Sequence, residues 1–209
     1  MIGFYNYTVI LTYLSLCSAV VGITQVFEGR ERIAILCLLI SGICDLFDGK
    51  VARHKKDRTD QEKLFGIQID SLCDLVAFGV LPACIGYNMG FNYGLGLASA
   101  ILIVLCGLIR LGFFNVMEEE RQRNTAENRK EYQGLPITTS SIILPLLFLS
   151  KKNIPDEAYP YVFQGFMLAL AVLFVADIKV KKLSAKSIFI MFTLAALVII
   201  GLWTFAPAR

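Results

Sequence analysis

The chain is 209 residues long, 56% hydrophobic and only 18% charged, with a mean hydropathy of +0.63. A water-soluble domain of this size needs more polar surface, so a soluble enzyme or binding module is excluded. The net charge of +3 is small and no basic stripe interleaves with aromatics, which excludes a nucleic-acid partner.

Apolar stretches long enough to cross a ~30 Å hydrocarbon layer recur along the chain. They predict an all-α, polytopic transmembrane helical bundle of six to eight spans. We read seven, at roughly 5–27, 33–52, 67–88, 93–115, 135–150, 160–178 and 187–206, forming one membrane domain over residues 1–209. The fifth is short and holds Pro145. No basic region precedes the first stretch, so it reads as a retained span, not a cleaved leader.

Orientation follows from Lys and Arg. The loops 53–66, 116–134 and 179–186 hold five, four and four of them; the opposite loops 28–32 and 151–159 hold two each, and 86–94 none. The positive-inside rule places the first three loops in the cytosol. The charge-rich linker 118–131 reads as a solvated cytosolic helix. The six cysteines lie inside apolar spans without a CxxC pair and read as small hydrophobes. Thr12 and Ser15, in the first span, read as helix-packing hydroxyls.

One cluster does not fit a purely structural reading. Asp45-Leu-Phe-Asp48-Gly49-Lys-Val-Ala52-Arg53 closes the second span, and Gly66, Asp70 and Asp74 open the third. On a 3.6-residue helix, positions 45, 48, 49, 52 and 53 share one face, and 66, 70 and 74 share another. Two such helices facing each other converge four carboxylates, which are costly near a membrane unless something uses them. Carboxylate oxygens suit Mg²⁺ or Mn²⁺ better than Zn²⁺, and a bridged pair of cations is a recurrent device for displacement at phosphorus. Gly49, Ala52 and Gly66 clear side chains from the same faces, and Arg53 is placed to pair with a phosphate.

The pattern D-x-x-D-G-x-x-A-R…G-x-x-x-D-x-x-x-D, carried by Asp45, Asp48, Gly49, Ala52, Arg53, Gly66, Asp70 and Asp74, resembles the signature of the CDP-alcohol phosphotransferase family. The interval between Arg53 and Gly66 is about one helical turn longer than is usual there. The resemblance implies a membrane enzyme that transfers a substituted phosphoryl group from a CDP-linked donor to an alcohol and releases CMP. It implies two divalent cations, Mg²⁺ or Mn²⁺, one held by Asp45, Asp48 and Asp70 and the other by Asp45, Asp70 and Asp74. Asp74 is then also the catalytic base, and Gly49, Ala52, Arg53 and Gly66 hold the CDP portion.

Two further segments, Asp70-Ser-Leu-Cys-Asp74 with Phe78-Gly-Val-Leu-Pro82, and Gly134-Leu-Pro136, are similar to the members of that family that use serine. This implies CDP-diacylglycerol as donor, L-serine as acceptor, and a likeness-based homodimer in the inner membrane with its site facing the cytosol. Arg110, the one basic residue within the fourth span, reads either as the partner of the serine carboxylate or as a snorkelling arginine, and Asn115 as a ligand to serine or a helix cap. The rivals are the same chemistry with glycerol 3-phosphate or an inositol or other polyol acceptor and, from a different class, a divalent-cation transporter.

Overall fold

The computed structural model describes residues 3–5, 7–54, 59–91, 93–124 and 131–181. The expected seventh span, 187–206, lies outside the described residues.

Helix α1 (Ile10–Phe27) follows a 3₁₀ turn at Tyr7–Val9 and packs most extensively on α2 (Glu31–His54). Its buried residues are Thr12, Ser15, Ala19, Gly22 and Val26, a stripe of mostly small side chains at alternating spacings of three and four. Small residues at such a seam let two backbones approach and let hydroxyls bond across. Ser15 Oγ donates to the Ser41 carbonyl at 3.4 Å, and Ser41 Oγ donates back to the Ser15 carbonyl at 3.0 Å. A Cβ on Gly22 would stand 2.9 Å from that of Cys37.

The next helix starts within the stretch 53–66, which its polar composition marks as a loop. Helix α3 spans Asp60–Asp74, and its start is a capping box. Thr59 Oγ1 accepts from the Glu62 amide at 3.2 Å, while the Thr59 amide donates to Glu62 Oε2 at 2.9 Å. Residues 60–65 of the long interval are therefore helical.

From Asp74 the chain continues through a π-helical segment, Leu75–Val80, into α4 (Leu81–Met89). Pro82 accounts for a break here, because it has no N–H and its ring crowds the carbonyl four residues back. Phe78, Leu81 and Ile85 of this stretch are fully buried.

Helix α5 (Leu95–Asn124) runs beyond the fourth expected span into the charged linker, so the helical reading of that linker holds as far as Asn124. Tyr7–Phe27, Asp60–Met89 and Leu95–Glu120 are long and apolar enough to cross a membrane. Helix α2 is of similar length, but Asp45, Asp48 and Lys50 interrupt its apolar run.

The remaining elements are α6 (Ser140–Ser150), too short to span alone, and α7 (Tyr159–Val175), which packs on α5. Gln164 of α7 is fully buried; it donates to the Gly86 carbonyl at 2.8 Å and accepts from the Ser99 hydroxyl. The all-α expectation needs one amendment. Strands β1 (Glu131–Gln133) and β2 (Lys179–Lys181) pair antiparallel with Tyr132 opposite Val180. The ladder leads into Gly134, whose φ of +74° and 2.8 Å clearance between a would-be Cβ and the Phe174 carbonyl both require glycine.

Candidate active site

Helices α2 and α3 bring the expected carboxylates together. Asp45, Asp70 and Asp74 each present an oxygen within 4.8 Å of the others. Asp48 adjoins them, with its carboxyl within hydrogen-bonding reach of that of Asp70, as Asp45 is of Asp74. When ionised, this group repels itself strongly in a partly desolvated setting, and a divalent cation is the natural counter-charge. Asp70 adds a second indication. Its Oδ1 is buried with no hydrogen-bond partner among the described residues, an arrangement a metal ligand tolerates and a structural carboxylate does not. The donor set is all oxygen, which fits Mg²⁺ or Mn²⁺.

Thr12, read as a helix-packing hydroxyl, packs in the α1–α2 seam and also reaches the cluster. Its Oγ1 donates to Asp48 Oδ2 at 3.2 Å, and both residues are buried. A hydroxyl bonded to a carboxylate of such a cluster orients it and limits its alternatives. The clue in the sequence was a hydroxyl on the seam-facing side of α1. Its partner, however, is set by the register of α1 on α2.

Gly49 is exposed, and a Cβ there would meet nothing within 4 Å among the described residues, so packing does not require glycine at this position. Gly66 sits partly buried on α3, one turn before Asp70. Ala52 and Arg53 belong to the last turn of α2, but their side chains lie outside the described residues.

Arg110, on α5, is only 9% exposed and so does not snorkel to the interface. Its charge reaches Asp45 and Asp74, and its guanidinium lies 5.7 Å from the centre of the Phe114 ring. Asn115 Oδ1 accepts from Ser71 Oγ at 2.9 Å, so α5 is joined to the face of α3 that carries Asp70 and Asp74. An apolar cavity of about 390 Å³ between α1, α4 and α5 reaches Val26 and Phe27, at the opposite end of α1 from Thr12, and none of the carboxylates line it.

Fold and site together define a helical membrane protein with an oxygen-donor cluster suited to divalent cations. The chain belongs to the CDP-alcohol phosphatidyltransferase family, whose sequence profile matches residues 5–176. Among its curated relatives is a CDP-diacylglycerol–serine O-phosphatidyltransferase of Helicobacter pylori, 34% identical over 78% of this chain and 67% of the relative. The enzyme of the same name from Methanocaldococcus jannaschii is 29% identical over 93% of this chain and 85% of its own. That of Saccharomyces cerevisiae is 34% identical over 59% of this chain, and the match spans 44% of the yeast protein. An archaetidylserine synthase of Methanothermobacter thermautotrophicus is 31% identical over 81% of this chain and 67% of the relative.

Proposed function

We propose that the protein transfers the phosphatidyl group of CDP-diacylglycerol to the hydroxyl of L-serine, forming phosphatidylserine and CMP. The observation that carries this reading is the convergence of Asp45, Asp70 and Asp74 within 4.8 Å of one another. Support for serine comes from the relatives, whose names share that acceptor across bacteria, archaea and yeast.

In this reading Asp45, Asp48 and Asp70 hold one divalent cation, and Asp45, Asp70 and Asp74 a second. When bound, the two cations supply charge neutralisation at the donor diphosphate. Gly49, Ala52 and Gly66 leave room for the CDP portion against the helix backbones, and Arg53 pairs with its phosphate. Arg110 and Asn115 receive serine, the guanidinium meeting its carboxylate. Asp74 takes the proton from the serine hydroxyl as its oxygen bonds to the phosphatidyl phosphorus and the bond to CMP breaks. The active site faces the cytosol, the enzyme is a homodimer in the inner membrane, and the diacyl chains stay among membrane lipid.

The relative named archaetidylserine synthase favours one variant of this reading, the same acceptor with a different lipid on the donor. A transporter instead needs acids spread along a path, whereas these gather at one level of the bundle. The test is CMP release by the purified protein given L-serine, glycerol 3-phosphate or inositol 1-phosphate in parallel, with CDP-diacylglycerol and Mg²⁺ or Mn²⁺. Release with serine alone supports the proposal. Release with another acceptor removes serine and the roles of Arg110 and Asn115 while leaving the carboxylate site intact.

A further inference from the structure

The two segments Phe78–Pro82 and Gly134–Pro136 contain no obvious chemistry, yet the structure joins them directly behind Asp74. Pro82 cannot bring an amide to the carbonyl of Phe78, four residues earlier. The hydroxyl of Ser140, at the start of α6, donates to that carbonyl at 3.2 Å. Both residues are fully buried, so water does not take over the role. Ile137, just after the Gly-Leu-Pro segment, closes the joint. Its Cδ1 lies 2.7 Å from a would-be Cβ on Gly107 and 4.0 Å from one on Gly79.

We infer that Ser140 is a positioning residue for Asp74. By supplying the hydrogen bond that Pro82 cannot, it holds the π-helical segment that begins immediately after Asp74 and so fixes where that carboxylate points. π-Helical turns cost hydrogen-bond quality and are found preferentially beside functional residues, where they aim a side chain. The competing role is purely local. Ser140 Oγ also stands 2.9 Å from the Ile137 carbonyl, an ordinary bond back along its own turn, and its single proton is shared between the two.

The inference rests on Asp74 acting as proposed above, and a double-mutant cycle tests it. In wild type, Ser140→Ala lowers kcat for CMP release by about tenfold or more, as slight misplacement of a reacting group does, while KM for donor and serine changes less than about twofold. In Pro82→Ala, residue 82 regains its amide. There the same replacement changes kcat by less than about twofold, because the Phe78 carbonyl no longer depends on the hydroxyl. A Ser140→Ala protein that fails to fold, together with a double variant that folds and turns over, supports the inference equally.

Equal losses in both backgrounds, loss confined to KM, no loss at all, or failure of both variants to fold would each overturn the inference. If wild type releases no CMP, the functional reading fails separately. The cycle is then read on Mn²⁺ affinity of the carboxylate cluster, where coupling between positions 82 and 140 sustains the inference and its absence overturns it.

Discussion

Thr12 Oγ1 donates a hydrogen bond to Asp48 Oδ2 at 3.2 Å, across the seam where α1 meets α2 and from a residue 36 positions earlier in the chain. The first helix thereby contributes to the carboxylate cluster without supplying a carboxylate. Loss of such a bond to a ligand typically weakens metal binding by about tenfold or more. Thr12→Val, which keeps the shape and removes the hydroxyl, should raise the Mn²⁺ concentration for half-maximal activity by about that factor. Thr12→Ser should leave it close to wild type. A titration of activity against Mn²⁺ reads both.

Asp74 is assigned the proton transfer. Replacing a general base typically costs about 100-fold or more in rate. Asp74→Asn should therefore abolish most CMP release while CDP still binds, which equilibrium binding of a labelled nucleotide measures. Near-normal turnover would remove Asp74 from the role.

Gly42 and Gly49 lie on the same helix but should respond in opposite ways. A Cβ at Gly42 would stand 2.4 Å from Ser141 Oγ and 2.8 Å from Ser141 Cβ, so Gly42→Ala forces α2 and α6 apart. Overpacking of this kind costs about 1–3 kcal/mol. At Gly49 a Cβ meets open space, and alanine in a helix is favoured over glycine by about 1 kcal/mol. Thermal unfolding in detergent should show Gly42→Ala destabilised and Gly49→Ala at or above wild type. Kinetics should show the reverse, with a raised KM for CDP-diacylglycerol only in Gly49→Ala.

Arg110 is buried where its charge reaches Asp45 and Asp74, and serine binding is assigned to its guanidinium. Losing a hydrogen bond to a charged group costs about 1.5–3 kcal/mol, so Arg110→Gln should raise KM for serine about 10- to 100-fold. KM for the donor should change much less. A larger effect on the donor would place Arg110 on the other substrate.

The pairing of Asp45 with Asp48 on α2 and of Asp70 with Asp74 on α3 was legible because carboxylates one helical turn apart share a face whatever the rest of the chain does, while the meeting of the two faces rested on the motif as a whole. The start of α3 was legible too, in Thr59-Asp-Gln-Glu62, but the polar composition of the stretch outweighed the capping signature. What could not be read depends on tertiary register. The Thr12–Asp48 bond needs the phase of α1 against α2, and the burial of Arg110 needs the rotation of α5. The Glu131–Gln133 and Lys179–Lys181 ladder forms in two three-residue segments too short to signal a strand, because the end of α7 and the start of the Gly134 turn are held side by side. The reading of 67–88 as one span leaves out the break at Pro82, whose π-helical form and partner Ser140 became evident only in three dimensions.

The central claim is that this carboxylate cluster, loaded with divalent cation, moves a phosphatidyl group onto serine. The most direct test is to follow labelled serine into lipid and count it against CMP, with Mn²⁺ present and after chelation. The account predicts one lipid-linked serine per CMP, both lost on chelation and both restored by adding Mn²⁺ back. CMP release without incorporation of serine, or incorporation that survives complete removal of the metal, would contradict it.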